Sequence, residues 1–143
     1  MSRTVLFALL VASLMAGCKE AESYKGTETS ADDTAQQPIT TVEFSQTMHD
    51  FGEIQEGQMV THRFEFTNTG KHPLQIGRVQ PTCGCTTPDW SKKPIAPGQK
   101  GFVEVKFDSN GRPGAATKTV RMVANTDPQE TVLTFKASVL PKE

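Results

Sequence analysis

The stretch PTCGCTTPDW, Pro81 to Trp90, sets two cysteines one glycine apart in a chain of 143 residues with three cysteines in all. Thiols at that spacing are open to three chemistries. A disulfide between Cys83 and Cys85 closes a very small ring. Residues two apart on an extended strand point to opposite faces, so the bond requires a sharp bend at Gly84. Such a bond adds little stability and is easily reduced, which makes it a candidate redox pair. Two thiolates are also soft ligands suited to Cu(I), with His49, His62 or His72 as a third donor. None of those histidines falls at a ligand spacing from the pair, and two cysteines alone make an incomplete site. The third reading is a structural turn: Pro81, Gly84 and Pro88 redirect the chain between sheets while the sulfurs pack under Trp90.

Trp90 is the single tryptophan. It either caps the body of the domain or, exposed on a loop, contacts a glycan or protein partner. His62 lies in phase with apolar neighbours and reads as a core-edge histidine, whereas His72 precedes Pro73 in a turn. Asp50, Glu53 and Glu56 read as a solvated acidic face. No Ser-His-Asp order, paired-acid motif, phosphate loop or zinc helix accompanies these residues. The expectation is therefore no enzyme, no cofactor and no metal.

Compartment decides what the cysteines meet. The start, MSRTVLFALLVASLMAGCKE, has one positive charge and an apolar run from Val5 to Leu14 that is short for a membrane span. Leu14, Met15, Ala16 and Gly17 ahead of Cys18 resemble a bacterial lipobox, with Met15 where leucine is commoner. The resemblance implies cleavage before Cys18 and lipid on its sulfur and new amino group, a durable membrane anchor. Residues 1–17 then read as a lipoprotein signal peptide. Outside the cytoplasm Cys83 and Cys85 would be the remaining, usually paired, thiols. The expected location is the cell envelope, on the outer membrane's periplasmic or surface face.

Residues 18–40 are polar and of mixed charge, without enough apolar surface to offset ordering entropy. They read as a flexible linker holding the domain on the order of 25 Å from the lipid. A formal net charge of -1 argues against nucleic acid as a partner.

From Thr41 to Glu143 the apolar residues alternate with polar ones. Val60, His62, Phe64 and Phe66 share one face, as do Val103, Val105 and Phe107, then Val120, Met122 and Ala124, then Leu133, Phe135, Ala137 and Val139. Val42 and Phe44 open the series, and Leu74 and Ile76 are in phase until Gly77 breaks the count as a bulge. Turn signals separate these runs at Asp50-Phe51-Gly52, Asn68-Thr69-Gly70, Pro97-Gly98, Asn110-Gly111, Pro113-Gly114 and Asp127-Pro128. The pattern predicts an all-β, immunoglobulin-like antiparallel β-sandwich of about seven strands.

HDFGEIQEGQ, FEFTNTGKHPLQI, PTCGCTTPDW, PIAPGQKGFVEVKFD and GAATKTVRMVAN occur in that order. Together they resemble the bacterial domain of unknown function 1573 family, with Ala115-Ala116 where a bulkier residue is usual. The resemblance implies a domain of the Hydin and major-sperm-protein type, and hence an interaction module presenting loops or an edge strand to an envelope protein. A periplasmic thiol-redox or copper-handling role for Cys83 and Cys85 is the competing expectation.

Overall fold

The computed structural model describes residues 37–143. Cys18, the signal sequence and all of the linker before residue 37 lie outside the described residues. Eight strands form within them: β1 Val42–Phe44, β2 Met48–Gln55, β3 Met59–Asn68, β4 Ile76–Pro81, β5 Thr86–Trp90, β6 Lys100–Asp108, β7 Gly114–Ala124 and β8 Glu130–Leu140. They make two four-stranded sheets, ordered β1-β3-β6-β5 and β2-β8-β7-β4. The alternating pattern does what period two requires. Phe64 and Phe66, Val103 to Phe107, Val120 to Ala124 and Leu133 to Val139 put every second side chain into the space between the sheets. Fully burying one such side chain is worth about 1.5–3 kcal/mol. The expected all-β immunoglobulin-like sandwich is what forms.

Two details depart from the sequence pattern. The sandwich is not wholly antiparallel, because β2 pairs with β8 in parallel. β1 ends at Phe44 on the first sheet, where the Ser45 N–H still bonds the Glu65 carbonyl. Two residues later the Thr47 carbonyl accepts from Thr134 of the second sheet. The chain changes sheet without reversing, so it arrives alongside β8 running the same way. The second departure is Asp50-Phe51-Gly52, which is a bulge inside β2 and not a turn. The register slips between Asp50 and Glu53, and Gly52 takes φ 68°. Its N–H bonds Asp50 Oδ1 at 2.8 Å. A left-handed glycine serves a bulge as well as a turn, and the partner strand decides which. Gly77 is the bulge expected, with a register slip between Ile76 and Arg78.

Buried polar side chains fasten the loops at each end. Asn68 is fully buried; its Oδ1 accepts from Thr40 and Gly70, and its Nδ2 donates to the His72 and Ile95 carbonyls. Asn125 similarly accepts from the Gln75 N–H and donates to the Pro38 and Pro73 carbonyls. At the opposite end the Ser109 hydroxyl lies 3.0 Å from the Gln55 carbonyl and 2.8 Å from that of Gln58. The sandwich thus has two poles. One, where the chain enters, gathers Pro38, Thr40, Asn68, Ile95 and Asn125. The far pole gathers the β2–β3 turn, the Cys83–Cys85 segment, the β6–β7 turn and the end of β8.

Candidate functional site

The Cys-Gly-Cys segment is the crossover from β4 of one sheet to β5 of the other. Cys83 and Cys85 are joined as a disulfide, their Cα atoms 5.2 Å apart. Gly84 between them needs no special backbone: its φ lies outside the left-handed region, and a Cβ there would meet nothing within 4 Å. Cys85 is 6% exposed and belongs to the core, while Cys83 is only half-buried at its edge. The next residue, Thr86, is buried, and its hydroxyl lies 3.5 Å from Cys83 Sγ and 3.9 Å from Cys85 Sγ. Among the described residues those sulfurs are its only hydrogen-bonding neighbours. Thr86 was not singled out in the sequence, although its place directly after the second cysteine was the available signal.

The sulfurs do not pack under Trp90. β5 separates them: at about 3.3 Å per residue, Trp90 sits about 16 Å from Cys85. Nor does Pro88 belong to the turn; it lies within β5. Trp90 is half-buried against the rim of the core, with Lys92 Nζ 3.0 Å above its ring. Asp89 bonds the Trp90 N–H at 2.8 Å and Lys92 at 3.3 Å. The Trp90 N–H, with Lys92 beside it, holds the Asp89 carboxyl below its usual range.

β5 is an edge strand with few free donors. Asp108 donates to the Cys85 carbonyl and Ser91 to that of Phe102, so the odd-numbered residues of β5 aim at β6. The even ones face outward. Of these, Thr86 donates to the Cys83 carbonyl, Trp90 to Asp89, and Pro88 has no N–H. The other edges are blunted differently. β1 is three residues long, β4 ends in Pro81, and β2 is bulged, with the Gln55 N–H held by the Gln58 side chain. These are devices that oppose edge-to-edge pairing.

The three histidines do not join the cysteines. His49 on β2 and His62 on β3 stack face to face across the two sheets, centroids 3.6 Å apart, with Phe51 and Phe64 edge-on to the pair. Gln46 Nε2 donates to His62 Nε2 at 2.9 Å, so that imidazole accepts in its neutral form. Burial, with repulsion from His49 second, lowers the His62 pKa from 6.5. His72 is exposed on its turn. Among the described residues no group of three or more His, Cys, Asp or Glu side chains is placed to hold a metal ion. Asp50, Glu53 and Glu56 are spread along and beyond the β2 bulge, Asp50 and Glu56 accepting backbone N–H groups.

The family model described as "Protein of unknown function (DUF1573)" matches residues 42–139, from the start of β1 to the penultimate residue of β8. The chain belongs to this family. No curated protein matches it in sequence. Among solved structures, it resembles a protein of unknown function from Porphyromonas gingivalis W83, 20% identical with a TM-score of 0.61 over 71% of this chain and 48% of that one. A PapD-like (ASH) domain of human CEP192 is 14% identical, with a TM-score of 0.56 over 76% of this chain and 91% of that domain. The secreted serine protease VesC from Vibrio cholerae gives 14% and 0.51 over 75% of this chain and 24% of that one. At these identities the likeness is one of fold. The DUF1573 chain spans about half the length of the Porphyromonas protein.

Proposed function

We propose that this DUF1573 chain is a non-enzymatic lipoprotein of the cell envelope, anchored through Cys18, whose sandwich docks a protein partner by the loops of its far pole. The observation that carries the reading is polarity. The described chain enters at Pro38 and Thr40, bonded to Asn125 and Asn68, and the crossover and turns gather at the opposite pole. Strand addition at the β5 edge is the less favoured mode, because its outward N–H groups are used or missing. That narrows the docking to loops. The lipobox-like residues before Cys18 support the anchor.

Two measurements test it. Cells fed a clickable fatty acid should label the protein and retain it in membranes, and Cys18→Ala should abolish both. A photo-crosslinking amino acid at Asn110, on the far pole, should capture a discrete envelope protein, and one at Lys71, on the near pole, should not. Equal capture from both poles, or an unlabelled wild-type chain, would sink the reading.

A further inference from the structure

We infer that the Cys83–Cys85 disulfide is a two-electron exchange site for a dithiol, tuned by the Thr86 hydroxyl. The fold has little need of the bond. With one residue between the cysteines, the cross-link removes little entropy from the unfolded chain. The backbone on either side is already held: Thr82 donates to Thr119, Thr86 to Cys83 and Asp108 to Cys85.

The two sulfurs differ in access. Cys85 is sealed in the core and Cys83 is half-buried beside Gly84, which puts no side chain over the approach. An incoming thiolate therefore reaches Cys83. The Thr86 hydroxyl adds an electronic bias. A disulfide sulfur is a weak acceptor with no proton to give. Each reduced sulfur can donate its S–H as well as accept and passes through a strongly accepting thiolate, so the contacts at 3.5 and 3.9 Å strengthen on reduction. Stabilising the reduced form makes a disulfide a better oxidant. The hydroxyl also offsets the cost of a thiolate leaving on the buried Cys85.

The step balances without an outside oxidant. A partner thiolate attacks Cys83 Sγ, a mixed disulfide forms, and the Sγ–Sγ electron pair leaves on Cys85, which then takes a proton from solvent. The partner's second thiolate attacks its own sulfur in the mixed disulfide, and Cys83 leaves and is protonated. The partner has lost two electrons and two protons, and Cys83 and Cys85 have gained them.

The test takes the detergent-solubilised full-length chain through glutathione buffers of stepped reduced-to-oxidised ratio. Acid quenching, alkylation and intact mass then count the thiols. A midpoint is expected inside the series, with unchanged circular dichroism after reduction and stoichiometric oxidation of a synthetic two-cysteine peptide. Thr86→Val should shift the exchange equilibrium about fivefold toward the disulfide, the net worth of about one hydrogen bond. Thr86→Ser should behave as wild type, and Thr86→Ala gives the same comparison if the valine variant does not fold. A bond that stays closed throughout, a domain that unfolds on reduction, or hydroxyl-less variants that match wild type would overturn the inference. None of those results touches docking at this pole, and one stoichiometric exchange per chain is not turnover, so the two readings are compatible and fail separately.

Discussion

Asn68 shows how much one buried amide holds. Four hydrogen bonds converge on it from Thr40, Gly70, His72 and Ile95, joining three separate segments. Asn68→Ala strands those groups away from water and is expected to cost about 2–4 kcal/mol, read from the urea midpoint. In the sequence, Asn68-Thr69-Gly70 is a turn signal whose residues tolerate positive φ. Gly70 instead is required by proximity, because a Cβ there collides with the Thr40 side chain and the Thr41 backbone. Gly101 is the same case inside the core, with Phe66 and Ile95 carbons at 2.5–2.7 Å from a built Cβ. Gly101→Ala should lose about 1–3 kcal/mol by overpacking, whereas Gly84→Ala should stay within about 0.5 kcal/mol and keep its disulfide. Thermal or urea unfolding of the pair distinguishes a packing glycine from a permissive one.

At the level of elements, β2 and β3 belong to different sheets and meet through the stacked rings of His49 and His62. Because the His62 pKa is lowered in the fold, chiefly by burial, the unfolded chain takes up that proton first as the pH falls. Stability tied to this ring is therefore complete above the unfolded value near 6.5 and declines as the pH drops from there toward the folded value. His62→Gln should flatten that part of the profile relative to wild type, seen as urea midpoints collected across the acid range. The β4–β5 crossover makes a contrasting case. Replacing Cys83 and Cys85 together by serine is expected to cost no more than about 2 kcal/mol, because the ring it opens is so small. A loss well beyond that in urea unfolding would mark the bond as structural.

The whole molecule is organised by its two poles. The N-terminal pole is built partly by residues ahead of the first strand: Thr40 bonds Asn125 and Asn68, and the Pro38 carbonyl accepts from Asn125. A chain beginning at Val42 should be about 1–3 kcal/mol less stable than one beginning at Pro38, measured by urea unfolding of the two side by side. The alternation of apolar residues by itself determined the fold class, the inward faces of β3, β6, β7 and β8 and the Gly77 bulge. Period two is a local property, and one buried face per strand is enough to express it. The candidate cysteines were legible by type and spacing. Tertiary structure decided their bonding partner, the buried hydroxyl beside them, their distance from Trp90 and from the histidines, and the parallel seating of β2. It also decided that Asp50-Phe51-Gly52 bends within a strand. These all depend on which strands become neighbours, and neighbours are chosen by the packing of two whole sheets, which no local window of the chain contains.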